Sequence, residues 1–196
     1  MEYEVNDMKT VTLKLSSVTP LIMHNGQLAN PMNPISLEMK KISGKRNKTE
    51  SDLTELARLE FVGGLYPGDD GSPAIPGKVV IGTLRNGARK VKSGKRVEAG
   101  VFARGPFPLL YQGPRTPMDL WSDESFRLQE IVTVGQAKIV RTRPIFRDWA
   151  VQVELQYNEN VVNEKDLVEW LSIAGEQVGI GDWRTGGYGL FTVEKI

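Results

Sequence analysis

The sequence predicts an α+β protein: an antiparallel sheet with two main helices packed on it. Three observations carry that prediction. Trp149, Val151, Val153, Leu155 and Tyr157 alternate strictly, as a half-buried strand does. Val79, Val80, Thr83, Leu84, Gly87, Ala88 and Val91 fall on one stripe at a helical period. Leu167, Trp170, Leu171, Ala174 and Val178 form a second stripe, opened by Asn163 with Asp166 three residues on, an N-cap pair. Trp170 lies in that stripe and is assigned to the core.

The other elements follow in chain order. Thr10–Ser16 alternates, with Val11, Leu13 and Leu15 on one side, and is a first strand that Pro20 ends or bends. Asn25–Asn33 is rich in Asn, Gly and Pro and reads as a loop. Thr49 and Asp52 start a helix that carries Leu53, Leu56, Ala57 and Glu60 at helical spacing. Gly63, Gly64 and the Pro67–Gly71 stretch make turns. The first main helix spans Gly77–Lys92. Val97–Ala103, Leu109–Gln112, Phe126–Val134 and Ala137–Thr142 read as short strands, with Gly135-Gln136 turning a hairpin between the last two. Gly189–Ile196 closes the chain as a strand. Strand, helix, strands, helix, strand is the order of a ferredoxin-like βαββαβ unit. The reading is one domain over 1–196, with an insertion at about 24–74 and hairpin insertions at about 97–144.

Composition excludes several function classes. The chain has 196 residues, 40% apolar and 25% charged, which suits a packed core rather than disorder. It has no cysteine, which removes disulfides, thiolate zinc sites and cysteine nucleophiles. A single histidine, His24, removes a multi-histidine metal site within one protomer. No metal or cofactor is implied. No apolar run approaches the roughly 20 residues of a membrane span. Residues 1–7 are acidic and polar, without a signal-peptide core, so a cytoplasmic protein with no membrane contact is expected.

The formal net charge is +1, but the charges are segregated. Between Lys78 and Arg104 the cations are Lys78, Arg85, Arg89, Lys90, Lys92, Lys95, Arg96 and Arg104, against the single acid Glu98. Lys40, Lys41, Lys45, Arg46 and Lys48 form a smaller cluster, and Arg141, Arg143 and Arg147 a third. Acidic stretches at Asp119–Glu130 and Glu154–Glu169 lie between and beyond them. Such clusters form either a path for a polyanion or a solvated charged face.

Gly179–Gly189 packs five glycines into eleven residues between the second main helix and the last strand. Glycine lets backbone N–H groups converge and a phosphate chain approach. Gly181, Gly186 and Gly187 would supply that approach, Arg184 a charge, and Trp183 and Tyr188 stacking surfaces. The other reading is a turn that returns the strand to the sheet. The segment is no Walker loop, since no Gly-Lys-Ser/Thr ends it.

Three segments together resemble the RAMP superfamily of CRISPR-associated proteins. They are Val18–Gly26, where a first strand runs into a loop; Ile75-Pro76-Gly77-Lys78 and the residues to Arg85, similar to that family's Pro-Gly pattern at the head of the first helix; and the glycine-rich loop. The resemblance implies a modified ferredoxin-like, RRM-type fold that binds RNA. The best match is the branch of backbone subunits that polymerise along a guide RNA. It also implies that Lys78 and the start of its helix contact guide phosphates. After the Pro-Gly pair, this chain has Lys78-Val79-Val80-Ile81-Gly82, so Lys78 stands earlier than the family's lysine. Some backbone subunits cut their target with an Asp in the loop after the first strand. Asn25–Pro34 holds no Asp or Glu, only amides such as Asn30 and Asn33, so target cleavage is not expected.

The expected function is therefore non-catalytic binding of single-stranded RNA, or single-stranded DNA, by a homo-oligomer assembled side by side as a helical filament. The candidate contacts are Lys78, Arg85, Arg89, Lys45, Arg46, Arg141, Arg143, Phe146, Gly181, Trp183, Arg184, Gly186, Gly187 and Tyr188. Phe146 is placed on a loop over the strand. The strand is expected to cross the sheet and be gripped where the first main helix begins, beside the glycine-rich loop. Two alternatives stay open. His24 is the one candidate for metal-independent RNA cleavage through the 2′-hydroxyl, which superfamily members that process guide RNA use. A phage-borne mimic of a backbone subunit could instead bind CRISPR effector subunits.

Overall fold

Alternation places the central strands. In the computed structural model, which describes residues 8–196, β1 (Met8–Ser17) turns Val11, Leu13 and Leu15 into the core. Residues 1–7, read above for their acidic character, lie outside the described residues. β8 (Ala150–Asn158) buries Val151, Val153, Leu155 and Tyr157. The two strands pair antiparallel, with Leu13 opposite Val153 and Val11 opposite Leu155, so both apolar rows share one face. β9 (Phe191–Lys195) pairs with the other edge of β1, placing Val193 opposite Leu15. Beyond β8 lie two short segments, β4 (Val101–Phe102) and β5 (Phe107–Leu110), and β3 (Ala74–Ile75) adds to β5. The order β9–β1–β8–β4/β5, all antiparallel, is that of a ferredoxin-like βαββαβ core whose second strand is split.

Two helices cover one face of this sheet. α3 (Gly77–Lys90) buries Val80, Thr83, Leu84, Gly87 and Ala88 of the predicted stripe, while Val79 is half-buried and Val91, just past the helix end, is exposed. α6 (Glu164–Gln177) buries Leu167, Trp170, Leu171 and Ala174, and the Asn163 side chain caps it by accepting from Asp166 N–H. Trp170 is a core residue, as expected, with the Arg96 guanidinium 5.1 Å from its ring centre. α3 and α6 touch each other directly, and one hydrophobic cluster runs from them through the sheet to Phe61 and Phe146.

The segments at 21–64 and 117–146 pack together beside this core. After β2 (Leu21–Ile22) and a 3-10 turn at Gly26–Ala29 come α1 (Pro34–Ser43) and α2 (Glu50–Gly64). Thr49 and Asp52 close a capping box on α2, as their spacing suggests. α5 (Pro117–Ser122) and a 3-10 turn at Glu124–Phe126 lead into the hairpin of β6 (Arg127–Val134) and β7 (Ala137–Phe146), which turns at Gly135-Gln136. β2 pairs with the far end of β7, giving a sheet ordered β2–β7–β6.

Four local expectations are corrected. Residues 97–100, expected to be strand, belong to the helix α4 (Gly94–Gly100), because Val97 and Val101 are buried at i,i+4 spacing rather than in alternation. Residues 144–146, read as a loop, are the end of β7, and Thr142 to Phe146 are all buried. Gly63 and Gly64 do not turn the chain but finish α2, packed against Leu28 and Pro144. α1 was not expected at all; Asn33 caps it and Pro34 opens it, but it buries no residue fully and so shows no strong apolar stripe.

Candidate nucleic-acid interface

The head of α3 lies in the gap between β4 and β5. A Cβ at Gly77 would overlap the Ala103 carbonyl oxygen and stand 3.1 Å from Gly105 N, so glycine is what lets the helix start there. Val79 and Val80 N–H groups both bond to Pro76 O, at 2.9 and 3.3 Å. The Val79 and Val80 amides are thus turned into the helix, and the exposed Lys78 side chain adds a positive charge at this first turn. Lys78 is exposed and lines a cleft of about 660 Å3 together with Ile81, Phe102, Arg104, Met8, Thr10 and Gln156. Phe102 is 52% exposed there, a large apolar ring turned to solvent.

The sheet's other face bears on the expected path. Thr10, Thr12 and Lys14 of β1 alternate with the buried residues, as do Gln152, Glu154 and Gln156 of β8. These central strands present no aromatic ring to that face, whereas an RRM stacks bases on aromatics there. Phe102 at the margin is the ring available.

The cations divide into paired and unpaired. Arg85 Nη1 and Arg89 Nη2 share Glu98 Oε1 at 3.2 and 3.8 Å. Arg96 holds Asp166 at 2.7 Å. Lys78, Lys90, Lys92, Lys95 and Arg104 have no carboxylate within ion-pair distance among the described residues. Lys45 pairs with Asp52 at 2.6 Å, and that hydrogen bond holds the Asp52 carboxyl below its ordinary value. Arg46, beside it, is exposed.

The glycine-rich loop is built for close crossings of chain. Cβ atoms at Gly189 and Gly181 would overlap the carbonyl oxygens of Ile180 and Ile22. Ile180 N–H donates to Gly189 O, Asp182 N–H to Ile22 O and Gly189 N–H to Pro20 O, each at 2.8 Å. Gly186 and Gly187 N–H groups donate within the loop, to Trp183 O and Arg184 O. The amides of Ile180, Asp182, Gly186, Gly187 and Gly189 are thus spent on the fold. Trp183 takes a left-handed φ of 48°, its ring lies 6.4 Å from that of Tyr188, and the two border a groove with Glu130, Ile131 and Val132 of β6. Arg184 is exposed and borders a groove with Asn86, Lys90, Gln177 and Thr185. The loop thus meets α3 near Lys90, and Lys78 is twelve residues away, about 18 Å along the helix axis. The expectation that the helix start and the loop form one grip is corrected: they serve opposite ends of α3.

Arg141, Arg143 and Phe146 also stand elsewhere than expected. Phe146 is fully buried, with ring centres of Tyr111 and Phe126 at 4.8 and 5.7 Å, so it has no face for a base. The Arg143 side chain is 7% exposed and binds Glu60 at 2.8 Å and Asp182 at 3.4 Å. Arg141 binds the same Glu60 at 3.0 Å, and Thr142 N–H donates to its other oxygen at 2.8 Å. This network ties α2, the hairpin and the glycine-rich loop together, because a buried carboxylate needs cations and donors around it. Glu60 was visible in the sequence as an acid on an apolar helical stripe, the signal of a buried pair. Asp182 and Phe102 carried no comparable signal.

His24 follows β2, and its backbone oxygen accepts from the Tyr66 hydroxyl at 2.8 Å. Its Nδ1 is buried without a hydrogen-bond partner among the described residues. Burial first, then the Arg143 charge, pushes its pKa below the usual 6.5, so the ring is neutral at neutral pH. The amides of the loop that follows have local tasks: Asn25, Asn30 and Asn33 accept from the N–H groups of Gln27, Met32 and Ile35.

No protein-family model matches the chain, and no curated protein matches it. Among solved structures it is similar to the crystal structure of Cmr6 from Pyrococcus furiosus, with a TM-score of 0.43 and 10% identity over 96% of this chain and 99% of that one. Among the described residues, no helix is long and apolar enough to cross a membrane.

Proposed function

We propose that the protein binds single-stranded nucleic acid, RNA in the first place, without cutting it, and assembles side by side along the strand. The observation that carries this reading is the cleft that Lys78 and Arg104, neither with a carboxylate, line together with the exposed ring of Phe102. Cations in one cleft with a solvent-facing aromatic suit the phosphates next to a stacked base. Lys90 and Arg184 extend the positive surface at the other end of α3. Segregation of basic and acidic stretches supplies complementary faces for head-to-tail neighbours. The test is fluorescence anisotropy on oligouridylates and oligothymidylates of increasing length across a salt series. Binding that strengthens with length and weakens with salt supports the reading, and absence of binding at low salt overturns it. Sedimentation of the same complexes tests assembly, which requires mass to grow in protomer steps with strand length.

A second reading, metal-independent cleavage by His24, has the neutral ring and the orphaned Nδ1 in its favour. Arg143, the nearby cation, is committed to Glu60 and Asp182 and would have to leave them to stabilise a phosphorane. Incubation of RNA with the parent protein in chelator decides this. Cleavage lost in His24→Ala supports it, and intact RNA removes it.

A further inference from the structure

The outward face of α3 carries Lys78, Gly82, Arg85 and Arg89. At about 100° per residue these four stand within about 60° of one another, opposite the buried Val80, Leu84 and Gly87. From Lys78 to Arg89 the row is about 17 Å long. Gly82 is the unexplained member. A Cβ there would meet nothing within 4 Å, so no packing demands glycine, although glycine inside a helix costs roughly 1 kcal/mol against alanine. A bare backbone in a line of cations is what a close-lying polymer requires.

A second observation concerns Glu98 of α4. It is the only acid between Lys78 and Arg104, and it lies 3.2 Å from Arg85 and 3.8 Å from Arg89. The three side chains are 38 to 58% exposed, where such pairs are weak and exchange readily. The arrangement satisfies Arg85 incompletely: its Nε is buried without an acceptor among the described residues.

We propose that this face of α3 is a phosphate track for a single-stranded nucleic acid, with Gly82 as its point of closest backbone approach. Glu98 is its internal competitor: it occupies Arg85 and Arg89 in the unliganded protein and is displaced by the strand. The track rests on the nucleic-acid reading above and leads the strand from the Phe102 cleft along the helix layer rather than across the centre of the sheet's open face. Its length suits a footprint of several nucleotides, within the ~4–16 typical of single-strand binding modules.

The test is anisotropy of a labelled oligouridylate of ~12 nucleotides, and the matching oligothymidylate, against the intact chain. Glu98→Gln is expected to tighten binding about fivefold, the weight of a partly exposed ion pair. Gly82→Gln is expected to weaken binding at least about tenfold while its thermal midpoint does not fall, since glutamine is the better helix former. Lys14→Ala, on the sheet's open face, is expected to bind as the parent does. The track is overturned if Glu98→Gln binds no tighter, if Gly82→Gln binds like the parent, or if Lys14→Ala loses affinity while the α3 variants keep it. A parent protein that binds neither oligonucleotide overturns the nucleic-acid reading, and the track with it. A parent that binds while the α3 variants match it overturns the track alone.

Discussion

Gly87 of α3 sits directly against the backbone carbonyl of Trp170 on α6. A Cβ at this position would overlap that oxygen and stand 2.8 Å from the Ala174 side chain. Gly82, five residues earlier on the same helix, faces open space. The two glycines therefore predict opposite signs for the same substitution. Gly87→Ala should lower stability by about 1–3 kcal/mol through overpacking. Gly82→Ala should raise it by about 0.5–1 kcal/mol through helix propensity. Urea melts of the two variants check both, and equal effects would contradict the packing of α3 on α6.

The buried carboxylate of Glu60 should be among the most sensitive positions. Glu60→Gln removes the charge that balances Arg143, whose side chain is 7% exposed, and should cost about 3–5 kcal/mol in a denaturant series. Replacing the exposed Glu55, which pairs with Arg58 on the same helix, should cost less than about 1 kcal/mol.

Two phenylalanines should separate fold from binding. Phe146→Ala should destabilise by about 3–5 kcal/mol, because the ring is fully buried. Phe102→Ala should leave the melt unchanged and weaken single-strand binding by about 1–3 kcal/mol, the usual weight of one stacked base. Lys78→Ala, paired with no carboxylate, should reduce the salt slope of binding by about 0.7.

His24 sets a pH dependence whose sign is fixed. Its folded pKa lies below the unfolded value of 6.5, so the unfolded chain takes up the proton first. Stability from this group is complete above 6.5 and declines as pH falls from there toward the folded pKa. His24→Gln should flatten that decline in thermal melts between neutral and mildly acidic pH.

The core was legible because its signals are periodic. Val151 to Tyr157 and Val80 to Ala88 repeat at strand and helix spacing over long runs, and both are buried as that spacing demands. What escaped was set by tertiary contacts. Val97 and Val101 fit a strand or a turn of helix equally well, and only packing decides between them. Gly181, Gly186 and Gly187 looked like a phosphate cradle, but the crossing carbonyl of Ile22 accounts for Gly181, and the N–H groups of Gly186 and Gly187 bond within the loop. Arg143 and Phe146 looked like a surface loop because the sequence does not show that the end of β7 is buried. Lys78 and its unpaired neighbour Arg104 come from segments 26 residues apart, and only the split strand brings them to one cleft.

The break between β4 and β5 has a bearing on assembly. With the α3 terminus wedged at Ala103 and β3 lying along β5, that border of the sheet offers an arriving chain only the two residues of β4. Strand-to-strand fusion of protomers is thereby disfavoured on this flank, which leaves the free side of β9 as the longer edge of this sheet.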